Sequence, residues 1–91
     1  MLTATAVVET SAAARYAKQL ASHLGRRASV LDEPTGQRIV IGDGSCLLEP
    51  GDALVLTAVA PDAETLDRVK DVVGSHLVRF GQRNELVVAW A

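Results

Sequence analysis

Large aromatic side chains are nearly missing from this chain: one Phe, one Tyr and one Trp make up 3% of 91 residues. The core must therefore come from Leu, Val, Ile and Ala, and a surface on which nucleobases stack has little to draw on. There is a single cysteine, Cys46, so no internal disulfide can form, and nothing points to an oxidising compartment. A surplus of basic residues is also missing. Nine Lys and Arg face eleven Asp and Glu, a net charge of −2, which argues against neutralising a phosphate backbone. No apolar run approaches the ~20 residues of a membrane span. Residues 1–6 have no basic region ahead of an apolar stretch, so no secretion leader is expected and the cytoplasm is the default location.

What is present describes one small globular domain. Hydrophobic residues are 48% and charged residues 22% of the chain, which is enough apolar surface to fold. A chain of this length buries roughly 60–65% of its unfolded surface, leaving little room for a deep active site. Residues 2–10 alternate, with Leu2, Ala4, Ala6 and Val8 on one side, and predict a half-buried strand. Thr10 or Ser11 is placed to cap a helix over 11–24, whose apolar stripe is Ala13, Ala17, Leu20 and Leu24. Gly25 is expected to end that helix in the left-handed conformation, with Arg26 and Arg27 near the negative end of its dipole. Short strands over 28–32, 38–41, 45–49 and 53–60 are separated by turn residues at close intervals, a pattern of consecutive hairpins. Asp62 is placed to cap a second helix with the stripe Leu66, Val69, Val73, Leu77 and Phe80, ended by Gly81. Residues 85–90 predict a closing strand carrying Trp90. The expected order is β-α-β-β-β-β-α-β: an α+β two-layer sandwich, with an antiparallel sheet and both helices on one face.

Ionisable groups gather at the margins of the two helices. His76 borders the second stripe, and Arg79 and Arg83 continue along its flank; Tyr16 and His23 share a flank of the first helix. Facing each other, these flanks form a groove suited to an anion or an aromatic ligand, since guanidinium forks match carboxylates and phosphates. The same residues have ordinary readings: an edge histidine bonded to a carbonyl, arginines paired with a helix dipole, a tyrosine packed at the core margin. No soft ligands lie at zinc-type spacing, so no metal centre or cofactor is expected. Cys46 beside Leu47 and Leu48 reads as a buried, inert thiol. Gly42-Asp43-Gly44-Ser45 has no helix after it and reads as a hairpin turn rather than a phosphate cradle. No paired carboxylates or Ser/His/Asp order indicates catalytic residues.

A resemblance runs through nearly the whole chain. It rests on Arg15-Tyr16, Gln19-Leu20 and His23; Gly44 and Cys46; and Ala60-Pro61-Asp62-Ala63. Its most specific piece is Val72-Val73-Gly74-Ser75-His76-Leu77-Val78-Arg79-Phe80, with Arg83, Leu86, Val88 and Trp90. In these residues the chain resembles the bacterial domain of unknown function DUF2218. The resemblance implies a sandwich similar to one repeat of the TATA-binding-protein fold. It also implies an accessory role in iron utilisation, beside or fused to siderophore-interacting flavin reductases, with no established reaction. The chain departs from relatives by carrying Ile39, Val40 and Ile41 where an aromatic often stands. The expectation is a non-enzymatic binding or interaction domain that engages a siderophore-interacting reductase or a small anionic ligand through Tyr16, His23, His76, Arg79 and Arg83. The alternative is a metal-binding or redox-linked enzyme using His23 and His76. Neither nucleic acid nor membrane is an expected partner, whereas a homodimer through an edge strand, helped by Val87, is.

Overall fold

The computed structural model describes residues 1–81 and 86–91. Five strands and two helices follow in the order β1 (Leu2–Val8), α1 (Ala13–Leu24), β2 (Ser29–Glu33), β3 (Gly36–Ile41), β4 (Gly44–Pro50), β5 (Leu54–Ala60) and α2 (Ala63–Phe80). All pairings are antiparallel, and the sheet runs β1-β5-β4-β3-β2. The consecutive hairpins are therefore present, and β5 carries the chain back beside β1. The β3–β4 turn is tight because Gly42 takes φ +59°, where an L side chain is strained.

Strand alternation decides where the helices go. One face presents Ala4, Ala6 and Val8 from β1, Leu54, Leu56, Ala58 and Ala60 from β5, Cys46 and Leu48 from β4, and Ile39 from β3, all buried. Both helices cover this face. Ala13, Ala17, Leu20 and Leu24 of α1 and Val69, Val73 and Leu77 of α2 pack into the same cluster. Burying each of Leu48, Leu54, Leu56 and Leu77 contributes about 1.5–3 kcal/mol. The sheet offers many alanines to this cluster, so bulk must come from elsewhere to reach native packing density. The opposite face stays open. Its rows, such as Thr3-Val59-Ser45-Val40-Ser29, mix Thr, Ser and Val, and none of the strands of the described residues carries an aromatic residue. There Arg38 donates from Nε to Glu33 at 2.8 Å and from a terminal nitrogen to the Ser45 hydroxyl at 2.9 Å.

Three local expectations change. First, α1 begins after Ala12 with no side-chain cap; the Thr10 hydroxyl instead accepts the Ala12 N–H at 3.1 Å, in a turn ahead of the helix. Second, Gly25 remains right-handed at φ −63°, ψ −12°, and the chain tightens through Ala28, whose N–H reaches the Leu24 carbonyl at 2.9 Å. Third, the closing strand does not form: Glu85 lies outside the described residues, and residues 86–91 are in neither helix nor strand. The physical reason lies in the alternation of Leu86, Val88 and Trp90. Any extended segment puts such residues on one side, and here that side packs against the core cluster and α2. A side chain at Gly74 would meet the Trp90 indole nitrogen at 3.5 Å and Val88 at 3.7 Å. Backbone pairing is confined to Ala91, which exchanges two hydrogen bonds with Thr5 of β1, at 2.9 and 3.1 Å. The first and last segments meet only at that point, and the described residues form five strands rather than the six expected. Among the described residues, no helix is long and apolar enough to cross a membrane.

Candidate functional site

His23 lies in the last turn of α1, and His76 one turn before the end of α2. Packing both helices on one sheet face brings their rings to 5.1 Å between centroids, tilted by 47°. Phe80, four residues after His76 and so on the same side of α2, sets its ring edge-on to His23 at 5.3 Å and 79°. His23 is thus held between two rings. Nδ1 of His76 lies 2.6 Å from the Val72 carbonyl. A carbonyl only accepts, so Nδ1–H is the donor in this contact and the ring is oriented by its own helix one turn back.

The histidines open into a cleft of about 520 Å³ bounded by the end of α1, the end of β3 and the middle of α2. Its polar wall is His23, Arg26, Arg27 and His76; its apolar floor includes Leu24, Ile41 and Val72. Among the described residues, no Asp or Glu lines the cleft. The carbonyls at the end of α1 would oppose an anion, but Ala21 and Leu24 already accept N–H bonds from Gly25, Arg27 and Ala28. The local balance favours negative charge.

The structure brings together two of the five residues singled out from sequence, His23 and His76. Tyr16 is only 2% exposed; it belongs to the core cluster and fills volume above the alanine-rich sheet. The Arg15 guanidinium lies over its ring at 5.4 Å. Arg79 is exposed on the last turn of α2 and does not line the cleft. Arg83 lies outside the described residues. Sequence reasoning placed Arg26 and Arg27 only as dipole partners, yet both line the cleft. The signal was their spacing from His23, three and four residues on. It keeps the three side chains on one flank only if helical geometry continues through Gly25, as the right-handed Gly25 allows.

Cys46 takes no part in the cleft. It is buried on the helix-facing side of β4, and desolvation pushes its thiol up to about 12, against smaller opposing effects from the Thr57 backbone and Arg38. It is present as a neutral thiol, as its apolar neighbours suggested. Among the described residues, no group of three or more His, Cys, Asp and Glu could hold a metal ion.

No curated protein matches the chain. Among solved structures, it is similar to PA4090 from Pseudomonas aeruginosa, determined by NMR, with a TM-score of 0.82 and 32% sequence identity over 100% of this chain and 96% of that one. Residues 5–91 match DUF2218, described as an uncharacterized protein conserved in bacteria. The family match spans nearly the full length, and the chain belongs to this DUF2218 family.

Proposed function

We propose that this domain is a small binding module that takes an organic anion in the cleft between α1, β3 and α2. One observation carries the reading: His23, Arg26, Arg27 and His76 form a wall that has no carboxylate among the described residues, over an apolar floor that includes Leu24, Ile41 and Val72. Arginine supplies paired donors to a carboxylate or phosphate, and the floor favours a ligand with an apolar body. The volume falls within the range of about 300–1,000 Å³ typical of small-molecule sites. Arg79 serves as an outer contact for a ligand larger than the cleft. The implied association with siderophore-interacting reductases makes an anionic iron chelator one ligand class to test, with such a reductase as the protein it is exchanged with.

Calorimetric titration with aromatic carboxylates, aliphatic carboxylates, inorganic phosphate and a ferric chelator tests the reading. At least one organic anion is expected to bind. A hydrogen bond to a charged group contributes about 1.5–3 kcal/mol, so the Arg26→Ala, Arg27→Ala double variant should lose about tenfold or more in affinity. Absence of binding across the panel, or equal affinity in the double variant, overturns the proposal.

A further inference from the structure

We propose that β2 is a self-association edge: two copies of this chain join antiparallel along Ser29–Glu33, so that their sheets continue into one. The sheet ends on β1 and β2. The β1 edge is interrupted at its middle, where Thr5 exchanges two backbone bonds with Ala91. Among the described residues, β2 pairs with β3 alone, so its outer edge is open along its length. The edge expected beside Val87 is thereby replaced by one on the far side of the sheet.

Pairing parity sets the register. Glu33 and Gly36 close a two-residue turn, so their N–H and C=O groups point at each other. Leu31 and Ser29 share that direction, because it alternates along a strand. The N–H and C=O groups of Val30 and Asp32 therefore face outward, two donors and two acceptors in one row. A two-fold axis at Leu31 satisfies all four: Val30 exchanges both bonds with the partner's Asp32, and Asp32 with the partner's Val30. Leu31 then faces the partner's Leu31 in a non-hydrogen-bonded pair, the closer kind, with Cα atoms about 4.5 Å apart. Leu31 is 50% exposed on the open sheet face, and this pairing covers it.

Charge selects the occupant and its direction. The C-terminal end of β2 carries Asp32 and Glu33, and the chain enters β2 through Arg26 and Arg27. Antiparallel pairing of two copies puts each acidic end beside the partner's basic entry. Parallel pairing would set acids against acids, and an acidic strand from another protein would do the same. Nothing else within β2 blocks an edge: it holds no Pro, no Lys and no bulge. The surface is small, well under the about 1,200 Å² at which stable interfaces begin, so a dissociation constant of roughly 10–500 μM is expected. Val30, Leu31 and Asp32 do not line the anion cleft, and the interface stands without that reading.

Sedimentation equilibrium and amide NMR spectra of the full chain, from about 10 μM to about 1 mM, test the edge. A monomer–dimer equilibrium is expected, weakened by added salt, with concentration-dependent shifts centred on Val30, Leu31 and Asp32. Asp32→Pro removes an outward N–H without breaking the β2–β3 ladder, a position at which an edge strand tolerates proline. It should weaken the dimer about tenfold or more while the rest of the spectrum stays folded. Leu31→Lys places like charges opposite each other on the axis and should do the same. If Asp32→Pro fails to fold, Leu31→Lys decides. A monomer throughout, shifts centred on another surface, or a dimer unchanged in either folded variant overturns the proposal. Affinity that salt does not weaken overturns the charge pairing.

Discussion

Gly44 opens β4 on the face covered by α2, and the separation of helix and sheet depends on it. A methyl group at this position would stand 2.7 Å from Cγ2 of Val69, 3.0 Å from the Val59 carbonyl and 3.3 Å from the Ala60 methyl. Carbon atoms in contact rest near 3.5–4.0 Å, so Val69 must yield by about 1 Å. It has little means to do so: Val69 is fully buried, and a valine in a helix has essentially one rotamer. The Val59 carbonyl is held in the β4–β5 pairing, where Ser45 faces Val59. Gly44→Ala therefore displaces α2 or bends β4, an overpacking cost of about 1–3 kcal/mol. For a domain of this size each kcal/mol moves Tm by about 4–8 °C, so urea and thermal unfolding both resolve the effect. Val69→Ala alone should cost about 1–3 kcal/mol of lost burial. In the double variant the new methyl refills part of the space, and the sum should fall short of additivity by about 1 kcal/mol. Rescue stays incomplete because the carbonyl remains. Displacing α2 also moves His76 relative to His23, so their ring-proton shifts should change in Gly44→Ala. A single variant within about 0.5 kcal/mol of the parent, or a strictly additive cycle, would refute the account of α2 seating.

Two further predictions follow from titrating groups. With its thiol pushed up to about 12, native Cys46 should react with a disulfide reagent at pH 8 roughly a thousandfold more slowly than in urea. The folded value is the raised one, so stability holds below the unfolded thiol value near 9 and falls by up to about 1.4 kcal/mol per pH unit towards 12; Cys46→Ala should remove this slope in denaturation series, and equal slopes would contradict it. Asp62 accepts the Thr65 N–H at 2.7 Å, and this bond, with a side-chain bond to Thr65, lowers its carboxyl below the ordinary value. The stabilisation is present above the unfolded value of about 3.9 and is lost as pH falls through the lowered one. Asp62→Ala should lower Tm at pH 7, whereas Asp62→Asn should keep most of the cap with a flatter acid limb; identical acid limbs in all three proteins would exclude the cap as the cause.

Much of the architecture could be read from local pattern because period and punctuation were consistent. Alternation in β1 and β5, turn residues between the middle strands, and Asp62 ahead of a regular stripe each specify an element through forces acting within a few residues. The exceptions are where a neighbour distant in sequence decided. The alternation of Leu86, Val88 and Trp90 is compatible with a strand, but it is spent on packing against the core and α2. Gly25 permits a left-handed stop, yet the turn into β2 keeps it right-handed. That choice carries Arg26 and Arg27 to the cleft. Tyr16 reads as a flank residue from its helix alone and becomes a core residue once α1 is seated on the sheet, where it is 2% exposed within the core cluster.

The sequence by itself determined the class of fold, the helix and strand faces, the neutral buried Cys46 and the family, since each depends on residue chemistry and on spacing along one element. Tertiary structure alone decided the cleft. His23 and His76 are 53 positions apart, and no periodicity relates two helices to each other. Their meeting at 5.1 Å, with Arg26 and Arg27 beside them, follows from how both helices lie on one sheet face and how closely Gly44 lets α2 approach it.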